Sequence, residues 1–409
     1  MLPVNQAESI ILNLVQPLSQ SEIEIVELSD AYGRILANSV SSQLDFPHWD
    51  NSAMDGYAVR SQDIQNCSQE NPKKLEIIEE IPAGYQPQKI VQAGQTARIF
   101  TGACLPPGAD TIVMQEQTQR QGNSVQIFTA SEPHKFIRRN GSFYQAGDTL
   151  LTPGIILKAA EIAVLAAAQC CQVPVYRRVK VAIFSTGNEL VKPNQSLQPG
   201  QIVDSNHYAL NAWVQSMNME PISLGIVPDE PERLKTIIQQ AVEMADIVLS
   251  TGGVSVGDYD YIEEILSDLG GDISVRSVAI KPGKPLTVAT FPNSIYFGLP
   301  GNPVSALVSC WRFVKPAIKK LAGLLPQFYQ PQFIKARLKQ DLNSGGKRET
   351  YCWGKLHWKG EGYEFELASG YQNSANLINL AQTTALAIVP VNQTLIPAGE
   401  WIQVLLIDT

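Results

Sequence analysis

From Val179 onward the sequence switches repeatedly between two hydrophobic periods, and this alternation limits the fold more than any other feature of the chain. VKVAIF (179–184) is a run of strand length that is apolar except for Lys180, and HYALNAWVQSM (207–217) has helical spacing. The pattern repeats with SLGIV (223–227) and PERLKTIIQQAVEMA (231–245), then with DIVLST (246–251) and YIEEILSDLG (261–270). Strands SVAI (277–280), LTVATF (286–291) and SIYFGL (294–299) precede a long helix from Pro303, which Pro316 kinks or divides. Such alternation predicts a doubly wound, mostly parallel sheet with helices on both faces.

The flanking sequence has a different texture. Short β-like runs separated by Gly, Pro and Asn turns (LEIIEEI, QTARIF, TIVMQE, SVQIFT) make 47–145 a small inserted β domain. Before it stand an amphipathic helix pattern and DAYGRILA, and after it AAEIAVLAAAQ (159–169). Residues 1–46 plus 146–176 therefore form a discontinuous first domain of helical and linker character. The α/β domain covers 177–326. Beyond it FIKARLK, YCWGKLHW, YEFELA, ALAIVPV and WIQVLLI make 327–409 a C-terminal small β-barrel-like domain. Lys158, Glu161 and Gln169 interrupt the apolar stretch 155–171, so it is read as a buried amphipathic helix rather than a membrane span. A net charge of -8 disfavours nucleic acid as a partner. The N-terminus lacks the basic region of a secretory signal. Six scattered cysteines without a C-x-x-C suit reduced thiols in the cytoplasm.

In an open α/β sheet, ligands bind beyond the carboxyl ends of the strands. Three glycine-containing turns fall there: 185–190 (STGNEL), 250–260 (STGGVSVGDYD) and 299–305 (LPGNPVS). Each can present backbone N–H groups to an anion, and the set brings forward Ser250, Gly252, Gly253, Ser255, Pro300, Gly301 and Pro303 as substrate-binding candidates. None is a Walker A loop or a GxGxxG fingerprint, so the pocket suits phosphate or another tetrahedral oxyanion. IKPGKP (280–285) sets Lys281 and Lys284 around a Pro-Gly turn, either as paired counter-charges for a dianion or as a solvated basic turn. Glu189, Asp229 and Asp260 offer hard oxygen ligands for Mg²⁺ beside a phosphate, though Asp229 could equally cap the following helix. A hydrogen-bonding-rich loop, HWDNSAMDGYA (48–58), and RIFTGA (98–103) add a second polar patch.

Taken in order, NSAMDGYA, RIFTGA, LPPGAD, STGNEL, TGGVSVGDYD, IKPGKP and GLPGNPVSA resemble the molybdopterin molybdenumtransferase family, which includes the C-terminal domain of gephyrin. The resemblance runs almost from end to end. It implies an elongated homodimer of four-domain subunits that combines adenylylated molybdopterin with molybdate, releases AMP and uses Mg²⁺, with an upstream molybdopterin adenylyltransferase as a possible partner. By the same resemblance Asp55, Thr101, Glu189, Asp229 and Asp260 are active-site positions, the three last as metal ligands. Ser255, Lys281 and Lys284 belong to the molybdate or phosphate side, Pro300 and Pro303 to the loop opening the last helix, and Arg348 and Ser374 to the enclosure of molybdate. Three positions depart from the family pattern: Phe143 stands for an acid in RRNGSF, Asn188 for a carboxylate in STGNEL, and Ala375 for a glycine. Adenylyl transfer and a non-catalytic dimeric scaffold are the competing readings.

Overall fold

The alternating segments pair as their burial requires. The strand Lys180–Thr186 is buried at six of its seven positions, as expected of a parallel strand covered on both faces. It lies between Glu220–Val227 and Ile247–Thr251, and Ile295–Leu299 follows; all three of these pairings are parallel. Pro285–Thr290 and Asp272–Ser277 close the sheet in antiparallel sense, giving six strands, mostly parallel. The computed structural model describes residues 1–253 and 261–407.

Two apolar layers sandwich this sheet. On one face Phe184, Val248 and Tyr296 pack against Leu234, Ile238 and Ala241 of the helix Pro231–Met244. The other face carries Val181, Ile183, Leu249 and Phe297, packed with Leu210 and Val214 of the helix Asn206–Ser216 and with Phe313 and Ile318. That second core continues into Tyr351, Trp353, Leu386 and Leu405 of the C-terminal strands.

Those C-terminal strands close on themselves. Glu349–Trp358, Tyr363–Leu367, Phe333–Leu338, Trp401–Leu406 and Ala385–Val389 follow one another by hydrogen-bonded pairing, and the last returns to the first. Closure removes free sheet edges. One short strand, Ile280–Lys281, is added in parallel outside Glu349–Trp358. The chain folds as two compact units, one of Met1–Asn38, Pro153–Ile162 and Cys171–Thr409, the other of Ser39–Thr152 with Ala163–Cys170. The second unit holds its own six-stranded sheet, in which Gly56–Val59 lies between Thr111–Met114 and Gln95–Ile99.

Two local expectations change and a third gains its detailed form. SVAI is not one strand. Asp272–Ser277 ends at Ser277, whose carbonyl accepts from the N–H of Leu2, and a new strand starts at Ile280. Polar Asp272 and Arg276 hid the earlier start. The last helix divides before Pro316 through a π-helical turn, Cys310–Val314, closed by the Lys315 N–H on the Cys310 carbonyl. A five-residue spacing accommodates the donor that proline lacks. The helix Ala159–Ala167 buries only Leu165, so it is not the buried element expected from 155–171; its alanines have little side chain to bury.

Candidate active site

The glycine turns at 185–190 and 299–305, with the described start of the 250–260 turn, do meet beyond the carboxyl ends of the parallel strands. A pocket of about 380 Å³ there is lined by Thr186, Glu189, Thr251, Gly252, Gly253, Pro300, Gly301 and Asn302. Gly252 has φ of +91°, and a Cβ on it would stand 2.3 Å from the Thr186 carbonyl oxygen. Only glycine allows that approach. Asn206 donates to the Gly301 carbonyl at 2.8 Å and so ties the third turn to the helix Asn206–Ser216. Beneath the pocket the buried Ser185 and Thr251 hydroxyls share a hydrogen bond of 3.0 Å, and Ser185 also donates to Asp204 at 3.0 Å.

Next to it lies a larger cleft of about 570 Å³, which shares Pro285, Asn302 and Ser305 with the first pocket. Among the described residues Lys281, Lys284 and Arg348 line it against a single carboxylate, Asp341, whose Oδ1 accepts the Ala398 N–H at 2.7 Å. Its described lining therefore carries a net positive formal charge. The short strand sets the cations: Lys281 stands opposite Thr350 in the parallel ladder, and Arg348 Nη1 donates to the Ile280 carbonyl at 3.2 Å. Gly283, at φ +108°, turns the lysine loop close to Ser309, where a Cβ would come within 2.8 Å of the hydroxyl. Ser374 lines the opposite wall, and its carbonyl accepts the Val304 N–H at 3.1 Å, fixing that wall to the start of the helix Pro303–Ser309. Cys352 also lines the cleft; burial pushes its thiol up to about 11, against an opposing pull from Lys281. A neutral thiol is a poor nucleophile.

The remaining candidates fall into three groups. Ser250 is fully buried and its hydroxyl pairs with Tyr296 OH at 2.5 Å, so its side chain faces the sheet interior. Asp229 does not cap its helix; it accepts from the Thr186 hydroxyl, while its own N–H donates to Asn188 Oδ1 at 3.2 Å. Asn188 thus has a role that its amide oxygen fills. Ser255 and Asp260 lie outside the described residues. In the second unit Asp55 and Thr101 form their own pair: the Thr101 N–H and hydroxyl both donate to Asp55 Oδ1, at 2.7 and 2.8 Å. The backbone bond from Thr101, then its hydroxyl bond, hold the Asp55 carboxyl below the usual carboxylate range. Phe143 packs against Phe46, with ring centroids 5.7 Å apart, and Ala375 needs no left-handed backbone.

Sequence reasoning passed over Thr186, Asn206, Asn302 and Ser305 in the first pocket and Thr350, Tyr351 and Cys352 in the second. Asn302 and Ser305 stood inside a recognised turn, three apart at a helix start, and were legible. Tyr351 was hidden in a strand whose pairing no local pattern declares.

Comparison with known proteins places the chain in a family. Residues 2–168 match the MoeA N-terminal region (domain I and II), residues 182–320 a probable molybdopterin binding domain, and residues 335–407 the MoeA C-terminal region (domain IV). A molybdopterin molybdenumtransferase of Nostoc sp. is 57% identical over 406 residues, covering 98% of this chain and 93% of that protein. The chain belongs to the molybdopterin molybdenumtransferase family. A relative of that name from Haemophilus influenzae is 33% identical, over 99% of this chain and 98% of its own length. The solved molybdopterin biosynthesis moeA protein of Pyrococcus horikoshii OT3 superposes with a TM-score of 0.84 at 29% identity, covering 99% of this chain and 100% of that one. Like its family, the chain combines a molybdopterin-binding-type α/β sheet with the closed C-terminal barrel described above.

Proposed function

We propose that this chain is a transferase of molybdenum cofactor biosynthesis that inserts molybdate into adenylylated molybdopterin and releases AMP. One observation carries the reading: a glycine-walled pocket at the rim of the α/β sheet opens beside a three-cation cleft, and the two share Asn302 and Ser305. The first pocket suits the phosphate of the adenylylated pterin, on the turns containing Gly252, Gly253, Pro300 and Gly301, with Pro303 opening the helix behind them. The second suits molybdate, a tetrahedral dianion, held by Lys281, Lys284, Arg348 and Ser374. Arginine can give an oxyanion two parallel hydrogen bonds, which fixes orientation as well as charge.

Mg²⁺ is part of the proposal. Glu189 lines the phosphate pocket, and Asp229 reaches it through the Thr186 hydroxyl. These are hard oxygen donors of the type Mg²⁺ takes beside phosphate. Among the described residues no group of three or more His, Cys, Asp and Glu side chains is assembled, and Asp260 is the proposed third ligand. Bound there, the ion would neutralise charge on the phosphoanhydride. The protein's own contribution is positioning and charge neutralisation, with the neutral Cys352 thiol taking no covalent part. Asp55 and Thr101, a hydrogen-bonded pair within the second unit, are proposed as further functional residues.

The family resemblance also implies a homodimer and delivery of the pterin by an upstream adenylyltransferase. Cytoplasmic location is supported by buried free thiols at Cys67, Cys310 and Cys352. No helix among the described residues is long and apolar enough to cross a membrane. The test is an insertion assay supplied with adenylylated molybdopterin, molybdate and Mg²⁺. One AMP should appear per cofactor formed, and Lys281→Ala and Asp260→Ala should fold normally but lose rate by on the order of 10²–10³. Wild-type turnover in either variant removes that residue from the mechanism. Pyrophosphate release from ATP and unadenylylated pterin would instead mark an adenylyltransferase.

A further inference from the structure

Beneath the cation cleft a chain of charged and phenolic groups leads to the N-terminal helix Val4–Leu14. Tyr351 OH donates to Glu349 Oε1 at 2.6 Å, and Arg312 Nε donates to the same phenol oxygen at 2.9 Å. Arg312 Nη2 then donates to Glu8 Oε2 at 2.6 Å. Arg312 is 4% exposed, and its guanidinium lies 5.4 Å from the Phe313 ring centroid and 5.6 Å from that of Phe333. Three elements meet in this network: the N-terminal helix, the π-helical turn and the barrel strand Glu349–Trp358. Of its four residues only Tyr351 lines the cleft.

Its far end fixes the backbone that carries the cations. Glu349 stands opposite Ile280 in the parallel ladder, and its N–H donates to the Ala279 carbonyl at 3.0 Å. Arg348 precedes it, and Thr350, the partner of Lys281, follows it. A buried ion pair adds little net stability over apolar residues of equal volume, whereas its directed bonds restrict geometry. Burial works against the charge of Arg312, while Tyr351 and Glu8 hold the guanidinium ionised.

We infer that Glu8 and Arg312 are positioning residues for molybdate, holding Tyr351 and Glu349 so that Lys281 and Arg348 keep the spacing one oxyanion requires. The inference rests on the reading of the cleft as the molybdate site. A structural role would lower stability and affect both substrates alike. A positioning role shows in molybdate alone.

The experiment compares Tyr351→Phe, Glu8→Gln and Arg348→Ala in the full chain, with half-saturation by molybdate and by adenylylated molybdopterin measured separately and folding followed by thermal melts. Tyr351→Phe should raise molybdate half-saturation about tenfold with pterin half-saturation unchanged within about twofold, and Glu8→Gln should raise molybdate half-saturation about threefold with both pterin half-saturation and kcat at saturating molybdate unchanged within about twofold. Glu8 is remote from the cleft lining and its replacement is isosteric, so it reports even if Tyr351→Phe folds poorly. If Arg348→Ala weakens molybdate use while Tyr351→Phe and Glu8→Gln leave it unchanged, or weaken both substrates equally, the positioning role is overturned and the site reading stands. Should Arg348→Ala leave molybdate use unchanged, the site reading fails and the inference with it.

Discussion

At Asp55 a single carboxylate oxygen accepts both the backbone N–H and the hydroxyl of Thr101. Both bonds favour the ionised form, so the folded pKa lies below the ordinary value of 3.8. The stabilisation is therefore present above that ordinary value and is lost as pH falls through the lower, folded one. A carbon-detected NMR titration should place the Asp55 midpoint below 3.8. Thr101→Val should move it only part of the way back, because the backbone bond, the larger cause, survives. An unshifted midpoint in the native protein would contradict the pairing. Arg348 differs, because its contribution lies in shape as well as charge. Arg348→Lys keeps the cation but loses the planar fork, and molybdate half-saturation should rise by about 10- to 100-fold in the insertion assay. An unchanged value would mean that charge alone suffices at this position.

Among the elements, the turn that follows Ile247–Thr251 depends most strictly on its residue type. Gly252→Ala would impose a left-handed φ on alanine and set its Cβ against the Thr186 carbonyl, destabilising the fold by roughly 1–3 kcal/mol in urea titrations. Wild-type stability would show that the turn is free to move. Such turns were legible because glycine is the direct chemical record of a backbone constraint. The helices and parallel strands were legible for a related reason: their apolar periods follow from which faces they bury. The boundary at Ser277 was not legible, because the N-terminal Leu2 pairs there and no local pattern announces a partner so distant in sequence. The π-helical turn before Pro316 was half legible. Proline foretold a break, and the hydrogen bonding of the Lys315 N–H decided its form.

For the whole molecule, the proposed function depends on two pockets that lie side by side in one unit. The parallel sheet supplies N–H-rich turns, and the strand Ile280–Lys281 adds to the closed barrel and brings lysines to arginine. The sequence showed both motifs, but their adjacency depends on a sheet-to-barrel pairing that spacing cannot reveal. The most direct measurement is molybdenum anomalous scattering from crystals soaked with molybdate and AMP. The account predicts one molybdenum peak among Lys281, Lys284, Arg348 and Ser374, with the AMP phosphate in the neighbouring glycine-walled pocket. Molybdenum bound elsewhere, or AMP seated away from Gly252 and Gly301, would contradict it.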